Sequence, residues 1–292
     1  MKLPRHGAPR AAAVMRILYE ARDLTTDGVL DQLAEAVQRA ELNMIIKDLG
    51  VRGRTNKAFE VYHWMLQQGN ERRAPDEITF NSIITVLSKH GQVEKAQHVF
   101  EMMDMVACRR NVFHYNALLS GYAKLGLATD ALALFERMKV EGIDPDGSSY
   151  NILINACGRG KQLTRALALF EEMVGKGLQA THITYTSLVG ACGRDNRPFQ
   201  ALRIFQEAIS GGVPPDQPMF NALLDALGRG SLFDEMADVR SQMAERGFAP
   251  SLDAYRSMLA SYKQGERYLE AKAVLDEMRK AGYDPGPVRL PI

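Results

Sequence analysis

Five asparagines stand at equivalent places along this chain, Asn43, Asn81, Asn116, Asn151 and Asn221, and Thr186 fills the same place between the last two. Asparagine is a poor helix former, worse than alanine by roughly half a kcal/mol. Its recurrence at one place therefore suggests that the carboxamide itself is needed. An amide donates and accepts hydrogen bonds at once, which suits the Watson–Crick edge of an unstacked base. Eight residues beyond this place, in five consecutive repeats, stands a cation: Lys89, Lys124, Arg159, Arg194 and Arg229. One positive charge per unit suits a polymer with one phosphate per unit.

A third column closes each unit: Asp76, Asn111, Asp146, Thr181, Asp216, Ser251 and Gly286. These are preferred N-cap residues, and each directly precedes the start of a helix, so capping alone explains them. The other two columns have plain explanations too. Asparagines at one place suit hydrogen bonds between neighbouring repeats, and cations near a helix C-terminus complement its macrodipole.

Bulk composition does not choose between these readings. The 292 residues hold 36 Lys and Arg against 35 Asp and Glu, a net charge of +1, so any case for nucleic acid rests on where the charges sit. Hydrophobic content is 46%, ordinary for a folded chain. No apolar run approaches the roughly 18 residues that span a membrane. The three cysteines suggest a reducing compartment without a disulfide framework, and Cys157 and Cys192 read as small core residues. The six histidines form no close cluster with cysteine, so no zinc site is expected. There are no clustered acids, no activated nucleophile and no phosphate-binding glycine loop. The expectation is a protein that is not an enzyme, with no catalytic residue, no metal, no cofactor and no small-molecule substrate.

The elements that position these columns follow from a repeat. Val112 to Asp146 reads VFHYNALLSGYAKLGLATDALALFERMKVEGIDPD, and the pattern recurs at 77–111, 147–181, 182–216, 217–251 and 252–286 with a fixed period of 35. A copy at 39–76 carries three extra residues before Pro75 and Asp76. A fixed period of this size marks an array of stacked units. In 112–146, Tyr115, Leu118, Leu119 and Tyr122 form one apolar stripe, and Ala131, Leu134, Phe135 and Met138 form a second, so each repeat reads as two helices. Glycines fall at helix ends, where they read as stops. An aromatic column (Phe80, Tyr115, Tyr150, Tyr185, Phe220, Tyr255), a small one (Ala58, Ala96, Ala131, Ala166, Ala201, Ala271) and a methionine one (Met65, Met103, Met138, Met173, Met243, Met278) are core. Met236 and Arg240 break the pattern in 217–251, where looser packing is expected. Residues 1–38 precede the array. Of these, residues 1–19 hold Lys2, Arg5, Arg10 and Arg16 and no acid, and resemble the tail of an organelle transit peptide, the alternative being a frayed basic leader. Arg10 to Arg22 reads as one helix, and Thr26 and Asp27 cap a second through Leu30, Leu33 and Val37. This pair is expected to cover the open end of the array. Residues 287–292 form a short tail.

A 35-residue helix pair with Tyr-Asn near its start, Ala in the second helix, Met later and Gly-x-x-Pro-Asp at its end resembles the pentatricopeptide repeat family, and residues 39–286 carry the pattern. The tetratricopeptide repeat has about 34 residues and a Trp-Leu-Gly-Tyr first helix, which the lone Trp64 does not match. The resemblance implies an all-α, right-handed superhelical solenoid that binds single-stranded RNA in its groove, one base per repeat. It implies a chloroplast or mitochondrial protein of a plant or alga, of the simple non-catalytic class. Such a protein would act in RNA stabilisation, processing, splicing or translation, beside other organellar RNA-processing proteins and away from membranes. The family's pairing rule combines the fifth residue of a repeat with its last. Asn43 with Asp76, a pair separated by the three-residue insertion, and Asn116 with Asp146 would favour U. Asn81 with Asn111 and Asn151 with Thr181 would take a pyrimidine, Thr186 with Asp216 G, and Asn221 with Ser251 C. Arg256 with Gly286 falls outside the rule. The expected site is 5′-UYUYGC-3′. The family's second residue wedges between bases. Ile78, Phe113 and Ile183 fit that role, whereas Ser148, Pro218 and Asp253 do not, so binding should fade toward the C-terminus. The alternative is a protein-binding scaffold that uses the same groove for a peptide.

Overall fold

The computed structural model describes residues 37–67 and 72–286, together with Gly28, Leu30 and Asp31. The basic leader, most of the expected capping pair and the 287–292 tail lie outside the described residues. Of that pair, Leu30 and Val37 are buried, and the Asp31 carboxylate accepts the indole N–H of Trp64 at 2.8 Å. Among the described residues there are fourteen α-helices and no strand.

The chain divides into two compact units, residues 1–145 and 146–292. The first holds α1 (Arg39–Val51), α2 (Thr55–Gln67), α3 (Glu77–Lys89), α4 (Val93–Met105), α5 (Val112–Leu125) and α6 (Ala128–Val140). The second holds α7 (Gly147–Arg159), α8 (Leu163–Gly175), α9 (His182–Arg194), α10 (Pro198–Ser210), α11 (Gln217–Arg229), α12 (Phe233–Glu245), α13 (Leu252–Gln264) and α14 (Tyr268–Lys280). Each repeat is therefore a helix pair, as its two apolar stripes predict. Within each unit the first helices stack on one another: α1, α3 and α5, then α7, α9, α11 and α13. Each stripe finds its partner this way. Tyr115, Leu118, Leu119 and Tyr122 are all buried, as are the alanine and methionine columns, Met236 included.

Second helices also lean on the first helix of the next repeat, and the aromatic column makes the joint. Ring centroids of Tyr62 and Phe80 are 5.7 Å apart, those of Phe100 and Tyr115 4.9 Å, those of Phe170 and Tyr185 5.7 Å, and those of Phe205 and Phe220 5.3 Å. Such pairs add about 0.5–1.5 kcal/mol each beyond area burial. The joint fails where expected. Arg240 replaces the aromatic, reaches Glu277 at 3.5 Å instead, and α12 makes at most marginal contact with α13.

The glycines of the first helices correct the reading of glycine as a stop. A Cβ on Gly158 would lie 2.8 Å from the Cβ of Ala191, and one on Gly193 would lie 2.9 Å from that of Ala226. Gly121 likewise faces Ser88, and Gly50 faces Val86. These residues let neighbouring backbones approach, with one glycine at each crossing of first helices within a unit, whichever helix supplies it. Glycine does stop the second helices, at Gly142, Gly177, Gly212, Gly247 and Gly282, and the first helices stop at the fifteenth place of each repeat, which is left-handed throughout. Gly53, Gly91 and Gly126 hold it at φ 71–75° in the first unit, and Lys161, Asn196, Ser231 and Glu266 at φ 53–58° in the second.

Candidate nucleic-acid interface

In the first unit, Asn43 is 5% exposed on α1. Its Oδ1 accepts from Thr79 Oγ1 at 2.7 Å, and its Nδ2 donates to Asp76 Oδ1 at 3.3 Å. Asp76 caps α3 by accepting from the Thr79 N–H at 2.9 Å, and its other oxygen meets Arg39 Nε at 3.0 Å. Burial pushes the Asp76 carboxyl up. The hydrogen bonds from Thr79 and Asn43 and the Arg39 guanidinium outweigh that, and hold it below the usual carboxylate range. Arg39, Asn43, Lys47, Arg72, Asp76 and Ile78 line one cleft of about 700 Å³. A second cleft, of about 360 Å³, brings Asn81 together with Lys47 and Lys89. The structure thus gathers the fifth and last residues of the first repeat, cations, and Ile78, the wedge candidate of the repeat that follows, despite the insertion.

Asp76, Asn111, Asp146, Asp216 and Ser251 cap their helices as the sequence reading expects. Asn111 Oδ1 accepts the Phe113 N–H at 3.1 Å, and Nδ2 reaches Glu77 at 3.4 Å. Asp146 accepts the Ser149 N–H at 2.8 Å, Asp216 the Met219 N–H at 2.9 Å, and Ser251 the Ala254 N–H at 3.2 Å. At α9 the bond runs the other way, with the Thr181 N–H donating to Thr184 Oγ1 at 3.0 Å.

The asparagine column takes part in bonds between repeats. In the second unit, Asn151 Oδ1 accepts from Thr184 Oγ1 at 2.6 Å, and Asn221 Oδ1 accepts the Ser251 N–H at 3.3 Å. Thr186 differs, because its buried hydroxyl has no hydrogen-bond partner. Asn81 and Asn116 are half-buried.

The cation column splits. Lys89 and Arg159 are exposed. Lys124 donates its ammonium to the Lys89 carbonyl at the end of α3, and Arg194 Nε donates to the Gly158 carbonyl near the end of α7 at 2.9 Å. Burial pulls the Arg194 pKa down, and the like charges of Arg159 and Arg229 add to that. Arg229 pairs with Asp225 at 2.8 Å. Helix-end complementation therefore accounts for Lys124 and Arg194 in the free protein. Each keeps further N–H donors, since an ammonium has three and a guanidinium five.

The three wedge candidates are all on the surface: Ile78 is 57% exposed, Phe113 64% and Ile183 54%, each in the first turn of α3, α5 or α9. Five participants escaped the sequence reading: Thr79, Thr184, Lys47, Arg39 and Asp225. A signal existed for the threonines. Thr79, His114, Ser149 and Thr184 are polar residues recurring at the third place of four repeats, and all four are buried.

Helix pairs stacked at a fixed 35-residue period define a helical-repeat protein. Family profiles described as "PPR repeat family" match residues 110–159 and 145–194, and others described as "PPR repeat" match 73–104, 183–213, 218–248 and 253–283. The chain belongs to the pentatricopeptide repeat family. A pentatricopeptide repeat-containing protein of Arabidopsis thaliana is 31% identical over 74 residues, covering 25% of this chain and 13% of that protein. The crystal structure of the maize pentatricopeptide repeat protein PPR10 aligns with 95% of this chain and 40% of its own, at 25% identity and a TM-score of 0.65. PPR10 in complex with an 18-nt psaJ RNA element aligns at 21% identity and a TM-score of 0.52, over 95% of this chain and 49% of that one. The chain thus spans less than half of the PPR10 structures and a smaller part still of the Arabidopsis relative. Among the described residues, no helix is long and apolar enough to cross a membrane, and no group of His, Cys, Asp and Glu could hold a metal ion.

Proposed function

We propose that this protein binds single-stranded RNA selectively, one base per repeat, at a site near 5′-UYUYGC-3′. The observation that carries the reading is the first cleft, where the Asn43–Asp76 pair, the exposed Ile78 and three cations, Arg39, Lys47 and Arg72, line one space. Base-edge hydrogen bonding, stacking against an apolar wedge and phosphate neutralisation are the three parts that single-strand recognition combines. PPR10, of the same family, has been crystallised with RNA. The protein would act by occupancy, covering its site against nucleases or keeping it unpaired, in an organelle of a plant or alga. A fluorescent fusion in plant cells tests that location.

Fluorescence anisotropy of labelled UCUCGC RNA, against a purine-rich RNA of equal length over a salt series, tests the binding. Tight, salt-sensitive binding to the first alone is the expected result. Equal binding to both refutes base-by-base reading. Binding to neither refutes the RNA partner and leaves the groove to a peptide.

A further inference from the structure

At two joints a buried hydroxyl on the third residue of one repeat reaches back to the fifth residue of the repeat before it. Thr184 Oγ1 lies 2.6 Å from Asn151 Oδ1, and Thr79 Oγ1 lies 2.7 Å from Asn43 Oδ1. Both threonines have no exposed surface. A carboxamide has one oxygen that accepts and one nitrogen that donates, so the hydroxyl proton can meet only the oxygen. The oxygen is thereby directed at the threonine and the NH2 group away from it. In the first repeat that NH2 continues to the Asp76 carboxylate. In the 147–181 repeat the last residue is Thr181, which is exposed and carries no charge.

The arrangement is not uniform along the chain. The third residues of the last two repeats are Met219 and Ala254, which have no hydroxyl to give. Correspondingly, Thr186 is left without a partner, and Asn221 turns its oxygen to a backbone N–H. His114, the third residue of the repeat after that of Asn81, turns its ring to the Glu77 carbonyl at 2.9 Å.

We propose that Thr184 is a positioning residue for base selection: it fixes the Asn151 carboxamide so that the amide meets the base as a donor. The inference rests on the RNA-reading role above and sharpens it. A fixed donor favours a base that presents an acceptor at the contacted atom and rejects one that presents a donor. Without the hydroxyl the amide turns about its last torsion and accepts from the base it formerly rejected, so the preference flattens. Selectivity at this base then belongs to residues of two adjacent repeats. Thr184 also accepts the Thr181 N–H, so its test must separate positioning from helix capping.

Thr184→Val keeps the shape and removes the hydroxyl, whereas Thr184→Ser keeps the hydroxyl. Each is titrated by anisotropy against four RNAs, UCUNGC, that differ only at the fourth base, with circular dichroism confirming the fold. Wild type and Thr184→Ser should separate the best base from the worst by the same ratio. Thr184→Val should compress that ratio by about 3- to 10-fold, the worth of one hydrogen bond, with the salt slope unchanged. A Thr184→Val protein that keeps the wild-type ratio overturns the proposal, even if it binds all four RNAs more weakly, because capping alone then explains the hydroxyl. Equal compression by valine and serine overturns it too. Wild-type protein that binds none of the four refutes the RNA reading itself, an outcome distinct from these. Should Thr184→Val not fold, Thr184→Ala, which puts at this place the residue that Ala254 supplies in the last repeat, carries the same expectation and the same refutation.

Discussion

Replacing Arg194 by alanine should cost stability and RNA affinity together, whereas replacing Arg159 should cost affinity alone. The two share a column but not an environment. Arg194 Nε donates to the Gly158 carbonyl at 2.9 Å and is half-buried. A hydrogen bond from a charged donor is worth about 1.5–3 kcal/mol. Burial and the repulsion from Arg159 and Arg229 offset part of this, and they hold the Arg194 pKa below its usual value. The net loss in Arg194→Ala is then about 1–2 kcal/mol, which lowers Tm by about 2–8 °C in a chain of this size. Arg159 is exposed and makes no ion pair among the described residues. Arg159→Ala should leave Tm within about 1–2 °C of wild type.

Affinity separates differently. Each phosphate contact adds about −0.7 to the log–log salt slope of single-strand binding. Five rungs give about −3.5, and the loss of either arginine gives about −2.8. Between 50 and 500 mM salt, wild-type affinity should fall about 3,000-fold and that of either variant about 600-fold. Thermal melts and anisotropy on the same preparations measure both quantities. Arg159→Ala with the wild-type slope would refute the phosphate ladder. Arg194→Ala with the wild-type Tm would refute the carbonyl-capping geometry.

Three further outcomes are expected. His114 is buried, with Nε2 at the Glu77 carbonyl and Nδ1 accepting the Asn111 N–H. Burial depresses its pKa, Arg110 adds to that, and the Glu77 carbonyl and charge oppose it in part. The folded state then binds fewer protons than the unfolded one, so this contribution is complete above about pH 6.5 and declines as pH falls toward the folded pKa. His114→Thr should be less stable but free of that decline, and urea midpoints at pH 7.5 and pH 5 decide it. Ala107 holds φ 52° where later repeats have Gly142, Gly177, Gly212, Gly247 and Gly282. Ala107→Gly removes about 1–2 kcal/mol of left-handed strain against about 0.4–1 kcal/mol of added unfolded-state entropy, so Tm should rise by about 1–4 °C; a fall would refute the strain. Asp225 holds Arg229 at 2.8 Å and accepts from Ser257 at 2.6 Å. Asp225→Asn keeps the second bond and releases the arginine, so RNA should bind about 2- to 5-fold tighter at low salt, and unchanged affinity would exclude Arg229 from the interface.

What the sequence made legible was whatever repeats at a fixed place. Period, helix pairs, caps and core columns follow from residue type alone, and so does the exposure of Ile78, Phe113 and Ile183, large apolar residues standing off the stripe. Partners were not legible, because each lies about one repeat away. Asn151 meets Thr184, Asn43 meets Thr79 and Arg194 meets Gly158 across 33 to 36 residues. A column read by itself shows what a side chain offers but not what has already taken it. The glycine crossings were hidden for the same reason. Gly121 and Gly158 stand at different places in their repeats, and only the facing residue, Ser88 or Ala191, explains either one.

The plain and the functional readings of the polar columns also prove compatible. A carboxylate offers about four acceptor sites. Asp76 gives one oxygen to the first turn of α3 and to Asn43, and the other to Arg39, yet it still borders the cleft. A cap that holds its own side chain in one rotamer removes conformational freedom before any ligand arrives, and a pre-organised polar group binds with less ordering cost. The same holds for Asn151, whose oxygen is occupied by Thr184. Internal hydrogen bonds in the free protein are therefore what a base-reading face requires, because an unrestrained amide would satisfy donor and acceptor bases alike.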